Sequence, residues 1–156
     1  MDETIQGIIP NAQSGMLGQK AFNLIITDKR LIVATLTSEM IKQEAKRQAE
    51  ASKAQGEGFF KRMAKTAMAG TSFYKRYFDM TPEQILAEHA DNYAIEPSLV
   101  KKMRVKQGYF NEHQSKRTPN ELRIKSSDGK NVFRFSQPTA KEVKNMLSQT
   151  FGSLVK

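Results

Sequence analysis

Phe22 to Thr37 read FNLIITDKRLIVATLT. Phe22, Leu24 and Ile26 alternate with Asn23, Ile25 and Thr27. After the polar break Asp28-Lys29-Arg30, Ile32, Ala34 and Leu36 alternate with Leu31, Val33 and Thr35. Period-two alternation on both sides of a short polar turn predicts an antiparallel hairpin. Apolar residues occupy both faces, so the hairpin is expected in the middle of a sheet, covered on both sides. The turn carries no Gly, so the sequence does not assign its type.

Outward from the hairpin, Glu3 to Ile9 reads as a first strand ended by Pro10, which cannot donate to a ladder. Asn11 to Gln19 holds Gly15 and Gly18 and reads as a loop without a phosphate-loop ending. From Ser38 the composition changes. Residues 38–55 are rich in Ala, Glu, Lys and Gln and predict a helix with a thin apolar face. Gly56-Glu57-Gly58 breaks it. A second helix is expected from Phe59 to about Ala69, and Phe73 to Phe78 (FYKRYF) adds four aromatics around Lys75-Arg76. Thr81-Pro82-Glu83-Gln84 is a helix start, with a capping residue, a proline at the first position and a capping-box glutamine. Tyr93–Ile95, Leu99–Gln107, Glu121–Ser126 and Asn131–Ser136 predict strands, the last two joined at Asp128-Gly129. Gly108 to Pro119 reads as a polar loop. Pro138 to Leu154 predicts a final amphipathic helix, with Ala140, Val143, Leu147, Phe151 and Leu154 on one stripe and a Thr139/Glu142 capping box.

The chain of 156 residues suits one domain, 1–156, with residues 38–91 as a helical insertion. It has no Cys, which excludes disulfides and thiolate metal sites. No apolar run approaches the roughly 20 residues of a membrane span, and the opening Met-Asp-Glu-Thr is acidic where a signal peptide is basic. The expected location is the cytoplasm, with peripheral membrane contact as a further option. The net charge of +9 is unevenly placed. Residues 79–98 carry five acidic groups and no basic one, whereas residues 99–156 carry thirteen basic and four acidic groups. Such a surplus favours anionic partners, or else only solvates the surface.

Thr27-Asp28-Lys29-Arg30-Leu31-Ile32, the segment Tyr93-Ala94-Ile95-Glu96-Pro97-Ser98-Leu99-Val100 and the late Asp-Gly hairpin together resemble the prokaryotic pleckstrin-homology-like domains, related to GRAM domains. The resemblance covers residues 3–37 and 92–155. It implies an α+β fold: a bent antiparallel β-barrel of about seven strands capped by the C-terminal helix, with the insertion between strands 3 and 4. It also implies binding or scaffolding, with neither catalysis nor a cofactor. Lipid-binding members carry clustered basic residues in the first inter-strand loop, and here Asn11–Gln19 has none.

Two sets of residues are candidates for binding. Phe59, Phe60, Lys61, Arg62, Met63, Lys65, Phe73, Lys75 and Arg76 interleave aromatics, methionine and cations, as a membrane interface or a protein contact requires. The competing reading packs these aromatics on the barrel or on a second copy of the chain. The other set is Lys102, Arg104, Lys106, Arg123, Lys125 and Arg134, which share one outward face if their strands are neighbours. A base-stacking sheet also needs exposed aromatics, and that face shows none in the sequence. The competing reading there is a solvated face that discourages edge pairing. His89 and His113 stand singly beside Glu88 and Glu112, which is no metal-site spacing, and no Gly-x-Ser-x-Gly elbow is present. The expected function is a non-enzymatic binding domain that meets an anionic lipid surface or a protein partner, including a second copy, through its insertion. The alternative is a nucleic-acid-binding accessory protein that uses the basic sheet face. No metal and no small-molecule substrate are implied.

Overall fold

The structure, a computed structural model, describes residues 2–15, 20–54 and 73–156, with backbone alone at 48–49 and 51–54. Its elements in chain order begin with β1 (Ile5–Ser14), β2 (Lys20–Thr27), β3 (Leu31–Leu36) and α1 (Ser38–Ala54). A 3-10 turn (Phe73–Asp79), α2 (Pro82–Ala87), β4 (Tyr93–Ile95) and β5 (Val100–Lys106) follow. The chain closes with β6 (Phe110–Asn111), β7 (Lys116–Arg117), β8 (Asn120–Ser126), β9 (Gly129–Phe135) and α3 (Ala140–Phe151). Seven strands form one sheet in the order β4-β3-β2-β1-β9-β8-β5, every neighbouring pair antiparallel, and β6-β7 form a separate two-stranded ribbon.

The hairpin forms as its periodicity predicts, with Ile26 opposite Leu31 and Ala21 opposite Leu36. Its turn needs no glycine because the Thr27 side chain does the capping. Thr27 Oγ1 accepts from the N–H groups of Lys29 (3.1 Å) and Arg30 (2.9 Å), and the Thr27 N–H donates to the Arg30 carbonyl (2.9 Å). The Arg30 guanidinium donates to both carboxylate oxygens of Glu3, at 2.9 and 3.0 Å, and reaches Glu96 at 3.5 Å. A mostly buried, bidentate pair of this kind fixes geometry as well as charge, and it ties the chain's beginning to the turn and to the end of β4.

Both faces of the hairpin are buried. Leu24, Ile26, Leu31 and Val33 belong to one apolar cluster with Ile9, Met103, Leu122, Ile124, Phe133, Phe135 and the α3 stripe Val143, Leu147 and Phe151. The capping box Thr139/Glu142 starts α3 as expected. On the opposite face, Ile25, Ile32, Ala34 and Leu36 belong to a second cluster with Ile8, Phe73, Tyr77 and Ile85. The segment between β3 and β4 thus lays its second half on the outer face of β1–β3. The capping box Thr81/Gln84 fixes the start of α2 there.

Several expectations are corrected. β1 does not stop at Pro10 but runs on to Ser14. Its register with β2 shifts between Ile9 and Ala12, and Asn11 takes φ 52°, its N–H bonded to the Asn23 side chain. A bulge tolerates a residue that cannot donate, so the proline sits where the ladder is already interrupted. The expected loop therefore shrinks, and residues 16–19 lie outside the described set. A further register shift, between Val100 and Lys102, turns Val100 inward and leaves Leu99 40% exposed, the reverse of what was predicted for these two residues, while Met103 faces inward as expected. The predicted loop 108–119 contains the β6-β7 ribbon.

The expected barrel closure is also absent: among the described residues no pairing joins the edge strands β4 and β5. Pro97 interrupts the chain between them, and the free edge of β5 is taken by the C-terminus, with Val155 bridging Met103 and the Lys156 N–H donating to the Met103 carbonyl (2.8 Å).

Tyr77 is fully buried, and neither its hydroxyl nor Asn23 Nδ2 makes a hydrogen bond among the described residues. Burial, helped by the charge of Glu88, pushes its pKa up to about 12 from 10.0. The folded protein then holds this proton more tightly than the unfolded chain, so folding loses stability as pH rises from about 10 towards 12. Replacing Tyr77 by Phe is expected to be near neutral at pH 7, since the hydroxyl makes no hydrogen bond among the described residues beyond a weak interaction with the Asn23 side chain. At pH 12 the variant should exceed the parent by about 2 kcal/mol. Urea denaturation at both pH values checks this, and a variant that is weaker at pH 7 would show that the hydroxyl is paired.

Candidate polyanion-binding face

Strand parity and register place the basic residues of β5, β8 and β9. Lys102 lies opposite Lys125, which lies opposite Lys130. In the next row of the same face Arg104 lies opposite Arg123, which lies opposite Val132. In the third, Lys106 lies opposite Glu121, which lies opposite Arg134. The alternate residues Met103, Leu122, Ile124, Phe133 and Phe135 point the other way and are buried. The face is therefore a three-by-three array with seven cations and a single carboxylate.

All six basic residues predicted for this face are thus brought together. Sequence reasoning missed Lys130, which has the parity of Arg134 and was legible once Gly129 is placed inside β9. Within the array, Arg123 bonds Glu121 through Nε (3.0 Å) and a terminal nitrogen (2.9 Å). Arg134 donates to the Gly15 carbonyl. Lys102, Arg104, Arg123, Lys125 and Lys130 surround a shallow depression of about 290 Å³, with Val132 on its floor.

Cross-strand neighbours of like charge are destabilising, because their β-carbons approach to roughly 5 Å. Here Lys125 has a lysine on each side and Arg104 faces Arg123. A face that merely solvates a sheet gains nothing from this placement, since alternating signs would solvate it as well and add attraction. The arrangement suits a dense anion that bridges several cations at once.

The other candidate set divides. Phe59, Phe60, Lys61, Arg62, Met63 and Lys65 lie outside the described residues. Phe73 is 2% exposed, a core side chain on the outer face of the hairpin, which removes it from the predicted contact surface. The Arg76 guanidinium lies 5.0 Å from the centre of the Phe73 ring and pairs with Glu88 at 3.4 Å. Burial pushes the Glu88 carboxyl up, and Arg76 opposes the shift. Lys75 and Phe78 are exposed. His89 and His113 join no cluster of metal-ligating groups among the described residues, and no described helix is long and apolar enough to cross a membrane.

No protein-family model matches the chain, and no curated protein does. Among solved structures, the C-terminal domain of an unknown protein from Leishmania infantum is similar, with 11% identity and a TM-score of 0.46 over 96% of this chain and 84% of that one.

If the like-charged neighbours repel as placed, Lys125→Thr stabilises the protein by about 0.5–1 kcal/mol at low salt, since threonine suits a strand and removes two repulsions. The gain should shrink as added salt screens the surface. Urea midpoints at 20 mM and 1 M NaCl measure it, and a gain that does not change with salt would mean that packing, not charge, is responsible.

Proposed function

We propose that the protein is a binding module of pleckstrin-homology-like architecture that docks phosphodiester-bearing polyanions on the outer face of β9-β8-β5. The observation that carries this reading is the run of like charges Lys102–Lys125–Lys130, set directly opposite one another on a sheet face that no described element covers. The architecture is supported by the all-antiparallel order β4-β3-β2-β1-β9-β8-β5 and by a C-terminal helix whose apolar stripe joins the core cluster shared by both halves of the sheet. Lipid headgroups and nucleic acid backbones share the phosphodiester, so the basic array alone selects the chemistry and not its source.

The two outer faces of the sheet support the same reading by contrast. The half formed by β1–β3 has an apolar outer face, and the chain's own aromatics cover it. The half formed by β9-β8-β5 has a cationic outer face that no described element covers. Binding would follow electrostatics: counterions released from the polyanion drive association, and affinity falls steeply with salt.

Fluorescence anisotropy with a labelled 20-nucleotide strand, and flotation with phosphatidylglycerol vesicles, test the reading at 50 and 200 mM NaCl. At least one of the two should bind at low salt. The triple variant Lys102→Gln/Arg104→Gln/Lys125→Gln should bind it roughly 100-fold more weakly, at about 1 kcal/mol per cation. Unchanged binding by a folded triple variant, or no binding to either probe by the parent, would overturn the reading.

A further inference from the structure

Helix α3 covers the inner face of the sheet at one end. Met146 packs at Gly7, and the Thr150 hydroxyl donates to the Thr27 carbonyl, so the helix sits over the start of β1 and the end of β2. At the other end the inner faces run on past the helix. Parity carries the inner face from Leu24 to Phe22 and Lys20, from Val33 to Thr35, from Ile95 to Tyr93 and from Phe133 to Asn131. Register agrees, with Lys20 opposite Ser14, Phe22 opposite Thr35 and Tyr93 opposite Val33. Lys20, Phe22, Thr35, Tyr93, Asn131 and Phe133 line one open cavity of about 860 Å³, and Ile41 from the start of α1 stands at its rim. Inner-face aromatics at the two ends differ accordingly. Phe135 is 1% exposed, whereas Tyr93 is 39% exposed. Phe22 and Phe133 meet edge to face, their ring centres 5.7 Å apart. The Thr35 hydroxyl is buried in this wall without a hydrogen-bond partner among the described residues. The lining holds a single cation, Lys20, which is exposed and makes no ion pair among the described residues. Its single carboxylate, Asp91, precedes β4, two strands from Lys20, and lies 4.0 Å from His89 Nδ1.

We propose that this cavity binds a flat aromatic carboxylate, with its ring system against Phe22, Tyr93 and Phe133 and its carboxylate on Lys20. The site is distinct from the basic outer face, since Asn131 and Phe133 alternate with Lys130 and Val132 along β9 and point the other way. Its volume lies in the usual range for small-molecule sites, which are mostly apolar, hold a few placed polar groups and favour the mouths of barrel-like sheets. The shape favours a ring over an acyl chain. The lining draws on five strands, β4, β3, β2, β1 and β9, and so forms a broad bowl, where an acyl chain needs a narrow aliphatic tunnel. Three of its inner-face side chains are aromatic, and such rings gain from edge-to-face or offset contact with another ring. Charge sets the orientation, because Lys20 attracts a carboxylate at one side of the bowl and Asp91 repels it at the other. One cation matches one carboxylate, whereas the seven cations of the outer face match a polyanion. A polar substituent on the ring, seated against Thr35, would give that hydroxyl the partner it lacks.

Titration of the full chain with 2-naphthoate, 2-naphthylmethanol and decanoate, followed by amide NMR shifts, tests the site. 2-Naphthoate is expected to bind with a Kd of about 1 mM or tighter, as suits so small a ligand, and more tightly than the other two. The shifts should centre on the amides of Lys20, Phe22, Thr35 and Tyr93. Lys20→Met should weaken 2-naphthoate about 10-fold, the low end for losing a hydrogen bond to a charged group, and leave the alcohol unchanged. Lys20→Arg should retain binding. Ser14→Trp, which fills the bowl from β1, should abolish binding of both ring compounds, with urea midpoints checking that each variant is folded. Should Ser14→Trp fail to fold, the ratio of acid to alcohol affinity in Lys20→Met decides alone. The triple variant Lys102→Gln/Arg104→Gln/Lys125→Gln should bind 2-naphthoate as the parent does. Equal affinity for acid and alcohol in the parent overturns the carboxylate assignment, and tighter binding of decanoate overturns the ring. Loss of binding in the triple variant places the ligand on the outer face and overturns the site, as does binding of none of the three compounds.

Discussion

Burial of the β2-β3 hairpin on both of its faces is the constraint on which the rest of the structure depends. Leu24, Ile26, Leu31 and Val33 need a cover on one side, and Ile25, Ile32, Ala34 and Leu36 need one on the other. Each such side chain is worth roughly 1.5–3 kcal/mol when removed from water, so neither face can be left bare. The bent second half of the sheet and α3 cover the inner face. The outer face recruits Phe73, Tyr77 and Ile85 from the segment between β3 and β4. A helical interruption that looks like a projecting arm therefore has at least part of its aromatic content spent on the protein's own sheet. The β9-β8-β5 half largely alternates apolar and polar residues, needs one cover only, and has an outer face that no described element covers.

Several charges elsewhere among the described residues are paired. Arg30 holds Glu3 and reaches Glu83 and Glu96, Arg47 holds Glu44, and Arg76 holds Glu88. The acidic stretch 79–98 thus supplies partners for cations within the same chain, three of its five carboxylates lying within ion-pair distance of Arg30 or Arg76. No described acidic side chain other than Glu121 takes part in the array. The contrast matters because each exposed pair adds little to stability, while opposed like charges subtract from it.

Much of this was legible in the sequence wherever one segment's own periodicity decides the matter. The hairpin, both capping boxes and the inward and outward faces of β8 follow from residues within a few positions of each other. The misses all concern relations between segments. The bulges at Pro10-Asn11 and at Lys101 reset parity within a strand, and nothing in the local pattern marks where a ladder will slip. Phe73 is an aromatic in polar surroundings, and sequence alone left it between a contact surface and a place on the sheet. Its burial depends on which sheet face it meets, and that is set by packing over distances the pattern does not encode.

On the proposed reading, stability and binding pull in opposite directions on the basic face. A sheet optimised for folding alone would place a carboxylate or a threonine at 125, between the lysines at 102 and 130, and would alternate sign along β8 as Glu121 and Arg123 do. The fold instead concentrates repulsion in the rows farthest from Glu121, around a depression on that face. Such repulsion is relieved by a bound anion, which turns an intramolecular cost into intermolecular affinity. Because the strands hold the cations on a fixed grid, about 4.8 Å apart between strands and about 7 Å along them, little side-chain order has to be created when the anion arrives beyond the ordering of the lysine stems themselves.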